Sequence, residues 1–164
     1  CKLEVTMNIS KFVTIAFQCF SDIGVASGKH NNKFPIIVGH EGAGIVESVG
    51  EGVTHLQPGD SIMFLFMPQC MNCRCCKKKR GNFCSAFLSG LGGLMNDGTS
   101  RFSCRGQQIY SMLGTSTFSE YSVVKDLHCT KIDAKAPLEK VCLLACGVTT
   151  GELHFIRSSR NKIN

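Results

Sequence analysis

The sequence predicts a mainly β fold with minor α content, a barrel or sandwich, with a metal-organised lobe set into it. Three observations carry this. Short strand-type runs recur between Gly, Pro and Asn breaks; a long middle segment loses that rhythm and fills with cysteine; and one stretch near the C-terminus has helical spacing. The strand runs are Lys11 to Phe17, Pro35 to Val38, Gly44 to Val49, Ser61 to Phe66 and Phe118 to Val124. Little precedes Lys11 that would supply opening strands. After Asp133, APLEKVCLLACG places Pro137 near the start and Gly147 near the end of a short helix.

A chain of 164 residues with 43% hydrophobic content buries one sizeable core and reads as one globular unit. Its net charge of +6 favours anionic partners such as a phosphate-bearing cofactor. The charge is not concentrated as in a dedicated nucleic-acid binder, so no nucleic-acid partner is expected. The run Lys77, Lys78, Lys79, Arg80 reads as a solvated loop face. No apolar stretch approaches the roughly 18 to 20 residues of a membrane span, and the best one, Phe12 to Phe20, is interrupted by Thr14 and Gln18. No signal peptide is legible and no membrane partner is expected.

Eleven cysteines fit either a secreted disulfide framework or intracellular metal ligation. Spacing favours metal. Between Pro68 and Thr117, CMNCRCCKKKRGNFC separates Cys70, Cys73 and Cys76 by two residues each and places Cys84 seven intervening residues later. Four thiolates from one short loop converge readily on a tetrahedral zinc, and binding then supplies folding energy to a lobe with little core of its own. Cys75 is set aside, because it and Cys76 cannot both face one metal without strain. Disulfides or a CxxC redox pair are the alternatives. A nucleic-acid-binding zinc ribbon would split its ligands into two distant pairs.

A second metal site needs residues from distant segments. GHEGAGIVESVGEGVTHLQPGD puts His40 and Glu41 after an apolar strand. Cys19 in QCFSD lies upstream and Cys146 in LLACGVTTG far downstream, so one His and two Cys can meet from three elements. Cys₂His is the composition of an open catalytic zinc site.

Taken together, GHEGAG, PQCMNCRCC, GNFC, LGTSTFSEY and KIDAKAPLEKVCLLACG resemble the vertebrate-type medium-chain zinc alcohol dehydrogenases, over nearly the whole chain from about Cys19 to Gly151. The resemblance implies a GroES-like barrel over residues 1–151, with a structural zinc lobe at about 68–104 and a divergent tail at 152–164. It implies two zinc ions per chain: a catalytic one on Cys19, His40 and Cys146, and a structural one on Cys70, Cys73, Cys76 and Cys84. It further implies NAD as hydride acceptor, a small alcohol or aldehyde as substrate, a homodimer and a cytoplasmic location. By the same resemblance Ser21 takes the alcohol proton, Asp22 orients the zinc histidine, and Glu41 is the carboxylate near the metal. Phe66 and Leu113 line the alcohol pocket, and Thr150 lies near the nicotinamide.

Three departures stand out. Phe20 occupies the position where many members carry a cation contacting the cofactor pyrophosphate, and Gly24 the position where many carry the histidine ending a proton relay; weaker cofactor binding and slower proton release are the expected consequences. After Gly151 the chain reads ELHFIRSSRNKIN, where the family continues into a doubly wound nucleotide domain, so that Rossmann domain is expected to be absent here. GLGG at Gly90 to Gly93 lacks a third spaced glycine and reads as a loop. The alternative function is a non-catalytic zinc-binding domain of the same descent.

Overall fold

A computed structural model describes residues 2–3, 9–78, 81–88, 92–95 and 97–160. Its strands are β1 (Lys2–Leu3), β2 (Ile9–Phe17), β3 (Ile36–Ile37), β4 (Glu41–Ser48), β5 (Ser61–Phe64), β6 (Phe102–Cys104), β7 (Gln107–Ser111), β8 (Tyr121–Lys125) and β9 (Cys129–Lys131). Four helices interrupt them: α1 (Phe20–Ala26), α2 (Ser85–Leu88), α3 (Leu138–Val141) and α4 (Gly147–Arg160). The larger sheet has the order β8-β2-β4-β5-β9 and the smaller β1-β6-β7-β3. Among the described residues neither is a doubly wound parallel sheet; β3 and β7 are the parallel neighbours and the other pairings are antiparallel.

β4 is the spine. It pairs with β2 from Lys11↔Ser48 to Phe17↔Glu41 and with β5 through Ala43↔Met63 and Ile45↔Ser61. A strand covered on both faces needs small side chains where neighbours press close, and β4 supplies Gly42, Ala43 and Gly44, all buried. The core beneath it is Val46, Leu56, Ile62, Phe64, Val124 and Cys129. Removing such apolar surface from water is worth about 1.5–3 kcal/mol per large side chain, which sets the sheet as the rigid frame for what its edges carry.

Several expectations change. QCFSDIGVASG forms α1 despite Ser, Gly and β-branched residues, because the Cys19 N–H donates to Asp22 Oδ2 at 2.8 Å and closes the first turn. The irregular segment 68–117 contains a hairpin, β6–β7, whose two-residue turn Arg105-Gly106 has φ of 52° and 79°, the left-handed geometry that matches strand twist. The C-terminal helix is shorter than its spacing suggests: α3 tightens into a 3₁₀ turn over Cys142–Ala145, and Cys146 breaks it at φ −146°. Gly147 therefore opens a helix instead of closing one, and a side chain there would press on Glu41 Oε1 at 3.2 Å. The segment read as a divergent tail continues α4 to Arg160, while 161–164 lie outside the described residues. Before Lys11, β2 begins at Ile9, and Lys2–Leu3 pairs with β6. Of the basic run, Lys77 and Lys78 are exposed and Lys79 and Arg80 lie outside the described residues; so do Gly90 and Leu91 of GLGG, whose Gly93 takes φ 75° in a bend. No helix among the described residues is long and apolar enough to cross a membrane.

Candidate metal centre

Three elements meet at one end of β4. Cys19 is the residue before α1, held extended at φ −98°, ψ 158°. His40 and Glu41 enter β4 from Gly39, whose φ of 101° belongs to the region that side chains avoid. A Cβ at Gly39 would lie 2.6 Å from both Phe118 N and Thr117 Oγ1, so the approach is closed to any other residue. Cys146 sits in the break before α4. Donor atoms of Cys19, His40, Glu41 and Cys146 all lie within 4.8 Å of one another.

Asp22 stands behind His40, and both are 1% exposed. Its Oδ1 lies 3.1 Å from His40 Nδ1 and accepts the Gly39 N–H at 3.0 Å. A carboxylate only accepts, so Nδ1 carries the proton and Nε2 keeps the free lone pair. Burial pushes the Asp22 carboxyl up, but His40 and the N–H groups of Cys19 and Gly39 outweigh it and hold it below its ordinary value. Burial pushes the Cys146 thiol up to about 11; the Thr150 hydroxyl opposes this, and Cys19 and Glu41 add to it. Sulfur and carboxylate donors that converge in this way, with His40 and Glu41 buried and the two cysteines half-buried, call for a cation between them, and one His with two Cys suits zinc.

The remaining expected residues divide. Ser21 Oγ is 3.7 Å from Cys19 Sγ, and Thr150 Oγ1 is 3.8 Å from Cys146 Sγ. Phe66 meets the His40 ring edge-on at 5.3 Å between centroids. Leu113 lines a different space, a cavity shared with Cys70, Cys84, Phe87 and His128 on the side of the other cysteines.

That other cluster is Cys70, Cys73, Cys76 and Cys84, whose sulfurs also lie within 4.8 Å of one another. Each CxxC step turns the next N–H onto the previous sulfur, Cys73 N to Cys70 Sγ at 3.3 Å and Cys76 N to Cys73 Sγ at 3.4 Å. Hydrogen bonds, first from the Ser85 side chain, lower the Cys73 thiol to about 5, while burial and then Cys73 raise Cys76 to about 12. Sulfurs this close share out one another's charge unless a cation sits among them. Zinc–sulfur bonds of about 2.3 Å in a tetrahedron set sulfurs about 3.8 Å apart, so the cluster fits a structural zinc. Cys75 belongs to neither group among the described residues.

LGTSTFSEY carries a role that motif reading did not assign. Thr115 Oγ1 donates to the Gly39 carbonyl at 3.1 Å, the Thr117 N–H donates to the same oxygen at 3.0 Å, and Thr117 Oγ1 donates to the Glu41 carbonyl at 3.4 Å. Thr115, Ser116 and Thr117 are 2% exposed or less. This loop clamps the backbone on either side of His40. A run of three hydroxyl residues amid apolar neighbours was the signal available.

Residues 12–134 match the alcohol dehydrogenase GroES-like domain, three quarters of the chain. The chain belongs to the alcohol dehydrogenase GroES-like domain family. Within this GroES-like domain the matched residues include Cys19, His40, Glu41 and all four lobe cysteines, and Cys146 and Thr150 lie just beyond. Over 141 residues the chain is 52% identical to alcohol dehydrogenase class-3 of Drosophila melanogaster, which covers 85% of this chain and 37% of the relative. A crystal structure of an alcohol dehydrogenase zinc-binding domain protein from Burkholderia ambifaria aligns with TM-score 0.80 at 29% identity, over 89% of this chain and 40% of that one. Benzyl alcohol dehydrogenase of Acinetobacter calcoaceticus aligns with TM-score 0.78 at 26% identity, over 92% and 41%. The chain thus spans about two fifths of the length of the relatives it matches.

Proposed function

We propose that this chain is the metal-carrying catalytic domain of a zinc-dependent alcohol dehydrogenase, which reversibly oxidises small primary or secondary alcohols to aldehydes or ketones with NAD as the hydride acceptor. The convergence of Cys19, His40 and Cys146, with Asp22 fixing the His40 tautomer, carries this reading. The names of the relatives, a class-3 alcohol dehydrogenase and a benzyl alcohol dehydrogenase, support it.

In this reading Cys19, His40 and Cys146 hold one zinc, with Glu41 beside them, and Cys70, Cys73, Cys76 and Cys84 hold a second. A zinc held there would supply Lewis-acid charge, which eases removal of an alcohol proton near neutral pH. NAD supplies the redox chemistry, and the protein's part is to orient it. Ser21, at the exposed rim next to Cys19, accepts the alcohol proton. Phe66 gives the alcohol an apolar wall against His40, and Thr150, beside Cys146, borders the nicotinamide, whereas Leu113 stays on the cysteine-lobe side. The working enzyme is a cytoplasmic homodimer.

Zinc analysis tests the assignment. Two equivalents per chain are expected, one lost in His40→Ala and the other in Cys73→Ser. One equivalent that is insensitive to His40 overturns the catalytic site. Alcohol turnover with NAD separates an enzyme from a zinc-binding domain without activity.

A further inference from the structure

The cavity between the cysteine lobe and β8 contains a polar group that neither metal centre uses. Cys70 and Cys84 of the lobe and Val123 of β8 contribute to its wall, and Phe87, Leu94, Met95 and Phe102 make the rest largely apolar. It offers about 70 Å³ where one water needs roughly 10–15 Å³, room for a molecule of about five to seven heavy atoms. Set into this wall is His128, 3% exposed. Its ring is fixed on two sides: Nδ1 lies 2.9 Å from the Leu65 carbonyl oxygen, and Phe87 meets it edge-on at 5.9 Å between centroids. A carbonyl only accepts, so Nδ1 carries the proton and Nε2 keeps a lone pair. Burial keeps the ring neutral, its pKa held at about 4. The Nε2 edge is turned to Gly114, another wall residue, where a Cβ would lie 3.2 Å from both Cε1 and Nε2. Gly114, at φ 73°, leaves that edge uncovered, and among the described residues no donor reaches Nε2.

The cations of the wall already face a carboxylate. Arg101 Nη2 lies 2.5 Å from Asp97 Oδ2, and Asp97 acts on Lys125 as well. An anionic ligand would meet the His128 lone pair and the cysteine sulfurs with little attraction in return. We propose that this cavity is a binding site for a neutral, mostly apolar molecule of the phenol class, whose O–H donates to Nε2 of His128 while its ring packs against Phe87, Phe102 and Val123. None of Cys19, His40, Glu41 and Cys146 lines it, so the site does not rest on the reading of that centre as an alcohol site.

Phenol titrated into the zinc-loaded full chain, followed by amide proton–nitrogen spectra, tests this. Saturating shifts are expected at Gly93, Gly114, Val123 and His128, with a dissociation constant of about 1 mM. Toluene, which has the shape without the O–H, should bind about tenfold more weakly. His128→Phe should bind the two alike, and Leu94→Trp, which pushes an indole into the space, should bind neither. Should His128→Phe not fold, the parent's preference for phenol over toluene and its loss in Leu94→Trp decide the matter. Equal affinity of the parent for both molecules overturns the proposal, as does binding that Leu94→Trp leaves unchanged. Shifts confined to the surroundings of Cys19 and Cys146, or no saturable shifts at all, overturn it too.

Discussion

Asp22 Oδ1 lies 3.1 Å from His40 Nδ1 with both residues 1% exposed, so one buried carboxylate decides which ring nitrogen faces the metal centre. The same carboxylate also receives the N–H groups of Cys19, itself a proposed ligand, and of Gly39, the neighbour of another. It thereby couples the start of α1 to the start of β4.

Asp22→Asn should weaken zinc at this centre by about 10- to 100-fold, the usual cost of losing such an outer partner. The four-cysteine centre should keep its affinity. Competition with a chromophoric chelator, titrated against parent and variant, measures both; equal loss at the two centres contradicts the assignment.

Gly39→Ala and Gly59→Ala differ in an informative way. Both positions have positive φ, 101° and 90°, but a Cβ at Gly59 meets nothing within 4 Å, whereas at Gly39 it strikes Phe118 N. Gly59→Ala should cost about 1–2 kcal/mol from backbone strain alone. Gly39→Ala should cost more by at least ~2 kcal/mol, in the range of crowded core substitutions. Urea midpoints at fixed slope report the difference.

Chelation should loosen the cysteine lobe before the sheet. The lobe's N–H groups at Cys73 and Cys76 bond to sulfur, whereas Ile62, Phe64 and Val124 are held by the buried apolar core. Hydrogen exchange with a zinc chelator present should show rapid labelling around Cys70–Cys84 while β4 and β5 stay protected. Simultaneous loss in both regions would show that the lobe has no stability of its own to lose.

His128 should make the fold acid-sensitive. Burial lowers its pKa from 6.5 to about 4, outweighing its bond to the Leu65 carbonyl, at 2.9 Å from Nδ1. A folded state that holds histidine neutral binds fewer protons than the unfolded chain between these values. Its contribution is therefore complete above pH 6.5 and is lost as pH falls towards 4, at up to ~1.4 kcal/mol per pH unit. His128→Gln should flatten that part of the stability profile relative to the parent; identical slopes would contradict the assignment.

How much of this was legible in the sequence follows from where each signal resides. The four-cysteine loop is local, so spacing alone brought Cys70, Cys73, Cys76 and Cys84 together. Cys19, His40 and Cys146 are joined only by tertiary structure, and their grouping needed family resemblance. Hairpin β6–β7 was missed because Phe-Ser-Cys and Gln-Gln-Ile-Tyr-Ser alternate too weakly, and the Arg105-Gly106 turn carries the information instead. Helix α1 was missed because its stability comes from Asp22 capping and burial, not from helix-forming side chains.

Cys146 immediately precedes α4, a 14-residue rod about 21 Å long whose described side chains are all exposed. In the proposed reading one end of that rod is bolted to a metal ion. A swing of a few degrees at the far end becomes a change of ligand angle at Cys146, and a change in coordination is transmitted outward by the same lever. The cysteine is then a mechanical joint as well as a ligand, and the spectrum of cobalt substituted for zinc should register forces applied to the helix.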